Sequence, residues 1–168
     1  MCKQMKDRLI HKESNQAIVS DSPLHDLLKD RQLLQYFGDE AVNPYSANWR
    51  GYTCEWTIID DQLYLTTFHS RSIRLYKSAQ IFGEEPIYDL TEENIKNRGG
   101  FSYDDLTHVK ADWFSGIIVA YDRGAKNKQD LNGWEYTFQE GKLVNEKRRY
   151  VCIPGSKLAM KLKKYIED

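Results

Sequence analysis

Residues 51–69 read GYTCEWTIIDDQLYLTTFH, and this stretch decides the fold. Tyr52, Cys54, Trp56 and Ile58 alternate with Thr53, Glu55, Thr57 and Ile59, which is the two-residue period of a strand. Asp60 and Asp61 interrupt it, and both tolerate left-handed backbone, so a turn is expected there. Leu63, Leu65 and Thr67 then alternate with Gln62, Tyr64, Thr66 and Phe68. A two-residue loop sets Ile58 opposite Leu63 and Trp56 opposite Leu65, giving the hairpin one apolar face. A slip of one residue would turn that face to water. The same register puts Cys54 and His69 on one face, a diagonal step apart.

Working outward, Trp113–Tyr121 holds Ile117, Ile118, Val119 and Ala120 in succession. Apolar residues on both faces predict a central strand buried on two sides. Trp134, Tyr136 and Phe138 alternate with Glu135 and Thr137. Glu140-Gly141 turns the chain and Leu143–Ile153 returns, a second hairpin. Toward the amino end, Arg8–Glu13 and Ala17–Ser20 read as short strands around Ser14-Asn15-Gln16. Ser22 and Pro23 then start a helix running toward Gly38. Thr91 caps a short helix through Arg98. Ser156 caps a last helix carrying Leu158, Leu162, Tyr165 and Ile166 on one face. These elements predict one β-rich α+β domain over residues 1–168: an antiparallel or mixed sheet, two hairpins and a carboxy-terminal helix. The aromatic content agrees, because eleven Tyr, six Phe and four Trp suit a half-buried pleated surface.

The net charge is -1, from 24 basic and 25 acidic residues, so no global field draws nucleic acid or an anionic membrane. No stretch approaches the roughly 20 apolar residues of a membrane span, and Met1–Lys12 lacks the apolar core of a signal peptide. Three scattered cysteines, Cys2, Cys54 and Cys152, make neither a disulfide scaffold nor a zinc knuckle. The expected compartment is the cytoplasm. Charge is nevertheless segregated. Residues 84–105 are rich in Asp and Glu, and residues 142–164 in Lys and Arg. Patches of this kind orient docking to another protein.

Motifs for chemistry are sparse. Cys54 beside His69 could make a nucleophile and its base, but free cysteines are usually core residues. Asp112, His108 and Ser115 fall short of a hydrolase, because Trp113 stands where the nucleophile elbow needs glycine. His11, His25, His69 and His108 lack metal-ligand spacing, and Gly99-Gly100 lacks the Lys-Ser or Lys-Thr of a phosphate loop. The run Lys147-Arg148-Arg149 before Tyr150 reads as a strand with solvated charges rather than a nucleic-acid stripe. No cofactor or metal is expected.

Two blocks carry a resemblance. Asn48-Trp49-Arg50-Gly51-Tyr52, with the hairpin after it, and Ala111-Asp112-Trp113-Phe114-Ser115-Gly116 resemble blocks of a family of uncharacterised bacterial proteins. The resemblance implies a bacterial protein and supplies no catalytic residue. Read from the residues, these rings cover the ends of a sheet. In the alternative, Trp49, Arg50, Tyr52, Asp112 and Trp113 line an aromatic binding pocket. The expected function is a non-enzymatic protein-binding or accessory module, of the kind that inhibits or neutralises a partner. The alternatives are a small-ligand binder or an enzyme whose residues converge only in three dimensions.

Overall fold

The computed structural model describes residues 6–32, 34, 52–70, 101–103, 109–123 and 131–152. Nine strands run in chain order: β1 Arg8–His11, β2 Ser14–Ile18, β3 Tyr52–Ile59, β4 Gln62–Ser70, β5 Phe101–Tyr103, β6 Val109–Lys110, β7 Gly116–Asp122, β8 Gly133–Gln139 and β9 Lys142–Arg149. One helix, α1 Leu24–Asp30, accompanies them among the described residues. Seven strands close into a ring, β3-β1-β2-β7-β8-β9-β4 and back to β3. The second edge of β4 is shared. It pairs with β9 at Gln62↔Lys142, with β6 at Tyr64 and Leu65, and with β5 from Phe68 to Ser70. Every pairing is antiparallel except β1 with β3.

The α+β expectation is therefore overturned: the protein is a closed β-barrel with a single seven-residue helix among the described residues. The physical reason lies in the apolar face. A sheet must bury that face against something, and curling onto itself does so without a layer of helices. Leu9, Trp56, Leu65, Phe68, Ile118, Tyr136 and Phe138 fill the interior, each almost wholly buried. Helix α1 adds Leu24, Leu27 and Leu28 to the same core. The expected helices over Thr91–Arg98 and Ser156–Ile166 lie outside the described residues.

The first hairpin has the register its alternation predicts near the turn, with Ile58↔Leu63 and Trp56↔Leu65. Asp60 and Asp61 both take positive φ, 50° and 60°, the backbone of a primed two-residue turn. Beyond Trp56 a bulge shifts the pairing by one, so Cys54 faces Phe68 and His69 faces Thr53. Cys54 is buried in the core while His69 is half-buried on the other face. The expected thiol–imidazole neighbours are thus separated by a single unpaired residue. The second hairpin turns at Glu140-Gly141, as its sequence indicates, and carries its own register shift after Thr137.

Three further expectations are corrected. Strand β7 is not buried on both faces: Ile118 and Ala120 point inward, but Ile117 is 50% exposed. A barrel wall has one outer face, and among the described residues that face is covered at its far end, where Val151 packs on Ala17 and Tyr121. Asn132 holds that return, donating to the Val151 carbonyl at 2.9 Å and accepting its N–H at 2.7 Å. The first turn is at Lys12-Glu13, both with positive φ, so Ser14–Gln16 belong to β2. Helix α1 ends at Asp30, with Arg31 as its cap, before Gly38. Ser22 does help start it, its hydroxyl oxygen accepting the Leu24 N–H at 3.3 Å.

Candidate functional site

Of the residues that the sequence groups, the structure describes Tyr52, Asp112 and Trp113, and it sets Tyr52 apart from Asp112. Trp49 and Arg50 lie outside the described residues. Tyr52 is buried and stacks on Phe68 with ring centroids 6.1 Å apart. Trp113 donates its indole N–H to the Pro23 carbonyl at 2.8 Å and meets Trp56 edge-on at 6.4 Å, so it ties α1 to the barrel. Asp112 is exposed near the β3–β4 turn, whereas Tyr52 starts β3. At the rise of a strand, that eight-residue element separates them by on the order of 20 Å. Among the described residues, Tyr52 does not line the groove that holds Asp112.

Asp112 belongs instead to an open groove of about 410 Å³ where two hairpin tips and the β6–β7 loop meet. Asp60, Asp112 and Glu140 line it together with Lys110 and Lys142, and Ile59 and Tyr64 add apolar surface. Backbone bonds lock the three loops together. Leu63 N–H donates to the Gly141 carbonyl at 2.8 Å, Gly141 N–H to Phe114 at 2.8 Å, and Leu143 N–H to Asp61 at 2.7 Å. Ser115 accepts the Glu140 N–H at 2.9 Å, and Gln62 donates to the Gly141 carbonyl at 3.2 Å. Gly141 is required here: it has φ +80°, and a Cβ would sit 2.7 Å from the Ala111 carbonyl oxygen. Phe114 and Ser115 of the Ala111–Gly116 block thus anchor the Glu140-Gly141 turn, while Asp112 lines the groove.

A second polar group lies on the inward face of β1, β2, β7, β8 and β9, and the sequence reading missed it. Tyr136 donates its hydroxyl to Gln16 at 3.0 Å, and His11 meets its ring edge-on at 5.6 Å. His11 Nε2 lies 3.0 Å from Glu146, which also accepts from Lys12 at 2.9 Å. β1 and β9 are not neighbours in the ring, so this pair crosses between separated strands. Burial raises the Tyr136 pKa to about 12. The Lys12 hydrogen bond, helped by His11, holds the Glu146 carboxyl below its ordinary value against the opposing effect of burial. Alternation was the available signal, since His11 shares the face of Leu9, and Gln16 that of Ile18.

The basic run of β9 is internally matched. Lys147 and Arg149 point outward onto Glu135 at 3.0 and 2.9 Å, and the Lys147 hydrogen bond leads in lowering the Glu135 pKa. Arg148 is exposed on the face of Trp134, bonded to Asp122 at 2.9 Å and 4.8 Å above the Trp134 ring. Among the described residues no group of three His, Cys, Asp or Glu side chains could hold a metal, and no helix is long and apolar enough to cross a membrane. Comparison with protein-family models, curated proteins and solved structures found no match to this chain.

Proposed function

We propose that the chain is a non-enzymatic, cytoplasmic protein-binding module, and that its docking surface is the groove between the two hairpin tips. One observation carries this reading: the barrel interior is filled with side chains, while a charge-lined groove opens on the outside. Ligand barrels need an empty lumen, whereas protein partners are oriented by fixed charges around a small apolar centre. Three carboxylates, Asp60, Asp112 and Glu140, outnumber Lys110 and Lys142, so the groove fits a partner loop that presents a basic side chain. Ile59, 44% exposed, supplies the apolar contact. An accessory or inhibitor role is consistent with such a surface.

The test is affinity capture from the native host with the wild-type protein and with Asp112→Lys. Reversing one carboxylate on an exposed loop leaves the fold intact and sets like charge against the partner. A protein retained by the wild type and lost with Asp112→Lys supports the reading. It fails if every captured protein binds both forms equally, or if nothing binds and a metabolite raises the melting temperature instead.

A further inference from the structure

A second groove, about 400 Å³, lies against the outer side of the strands β1, β3 and β4. Its walls carry Lys6, Arg8 and Arg123 against one carboxylate, Glu55, with the hydroxyls of Thr53 and Thr67 beside them. Glu55 is already engaged, accepting from Arg8 Nη1 at 2.7 Å. Register explains the cluster. Arg8 pairs with Glu55, and Glu55 with Thr67, so all three stand in one row across the sheet. Arg123 is brought alongside by its N–H, which donates to the Asn15 carbonyl at 3.0 Å on β2.

The Arg8 guanidinium is incompletely satisfied. Its Nε–H is buried and has no hydrogen-bond partner among the described residues. A buried donor without an acceptor is costly, and an oxyanion is the acceptor that fits it best. Because Glu55 holds Nη1, the Nε–Nη2 edge lacks an acceptor among the described residues, and a turn of the part-exposed Arg8 side chain toward the groove would bring that edge onto two oxygens in the bidentate manner that guanidinium favours. The Arg123 side chain is exposed and has no ion-pair or hydrogen-bond partner among the described residues, so it can close on the same anion. We infer that this groove binds a compact phosphate group, either free phosphate or a small phosphate monoester. This site is separate from the hairpin groove and does not depend on the protein-binding reading.

The experiment is a calorimetric titration of the full chain with inorganic phosphate, and separately with glycerol phosphate, against chloride at matched ionic strength. Saturable binding of phosphate is expected, absent with chloride. Arg123→Gln, an exposed change that leaves the barrel intact, should weaken it at least tenfold. Arg8→Lys keeps the charge but loses the forked edge, and should weaken it similarly. Glu55→Gln should tighten binding several-fold by removing the one carboxylate among the described lining residues and releasing Arg8 Nη1. Tighter binding of glycerol phosphate would assign the site to a metabolite, and equal binding to the free ion. Heats indistinguishable from chloride overturn the inference, as does undiminished binding by a folded Arg123→Gln variant.

Discussion

Asp7 shows how one side chain organises a barrel and yet leaves no trace in sequence. It lies between Lys6 and Arg8, where a charged residue reads as surface, but it is 1% exposed. Its carboxylate accepts the Cys54 backbone N–H and the Trp56 indole N–H, each at 3.0 Å, and the Ser22 hydroxyl. It therefore joins β1, β3 and the start of α1 at one point. Removing it leaves buried donors without an acceptor, and hydrogen bonds to a charged group are the strong ones. Asp7→Ala should lower unfolding free energy by about 3 kcal/mol, read by urea denaturation. A loss under about 1 kcal/mol would mean that water takes over these donors.

At the level of elements, what the sequence shows is whatever short-range alternation and turn chemistry determine. The Tyr52–Ser70 and Gly133–Arg149 hairpins are legible because pleat period and turn residues agree. The bulge beyond Trp56 is not, since it adds one unpaired residue to β4 without disturbing local composition. It is enough to part Cys54 from His69. The Lys12-Glu13 turn is hidden in the sequence for a related reason: Lys and Glu are poor residues for left-handed backbone, while Ser-Asn-Gln beside them looks better suited. That mismatch is itself testable. Glu13 holds φ 64° and is exposed, so glycine would relieve its backbone at no cost in contacts. Glu13→Gly should stabilise the protein by about 0.5–1 kcal/mol, seen as a melting temperature raised by a few degrees. No gain would show that the looser unfolded chain cancels the relief.

Ring closure belongs to the whole molecule, and no local pattern reports it. Each strand looks alike whether its sheet is open and covered by helices or closed on itself. What distinguishes the barrel is the long-range pairing of β1 with β3, of β2 with β7 and of β9 with β4, together with inward polar residues that an open sheet would leave in water. The candidate site was legible only at Asp112, because the groove around it is assembled from three loops distant in sequence.

The inward polar groups also set how the barrel responds to pH. Tyr136 is fully buried with a pKa near 12 against an ordinary 10, so the folded state keeps a proton that the unfolded chain loses. Between pH 10 and 12 the unfolded state binds fewer protons, and stability must fall as pH rises through that window. Glu146 works in the opposite sense. Its folded pKa is lowered, so its contribution is complete above about 4.5 and is lost as pH falls further. Urea unfolding across the pH range should therefore show an alkaline limb that Tyr136→Phe flattens and an acid limb that Glu146→Gln reduces. Tyr136→Phe also forfeits the bond to Gln16, so its stability near neutrality should drop by about 1 kcal/mol while the alkaline slope shrinks. If the phenylalanine variant loses stability between pH 10 and 12 as steeply as the wild type, Tyr136 is not the group that titrates there.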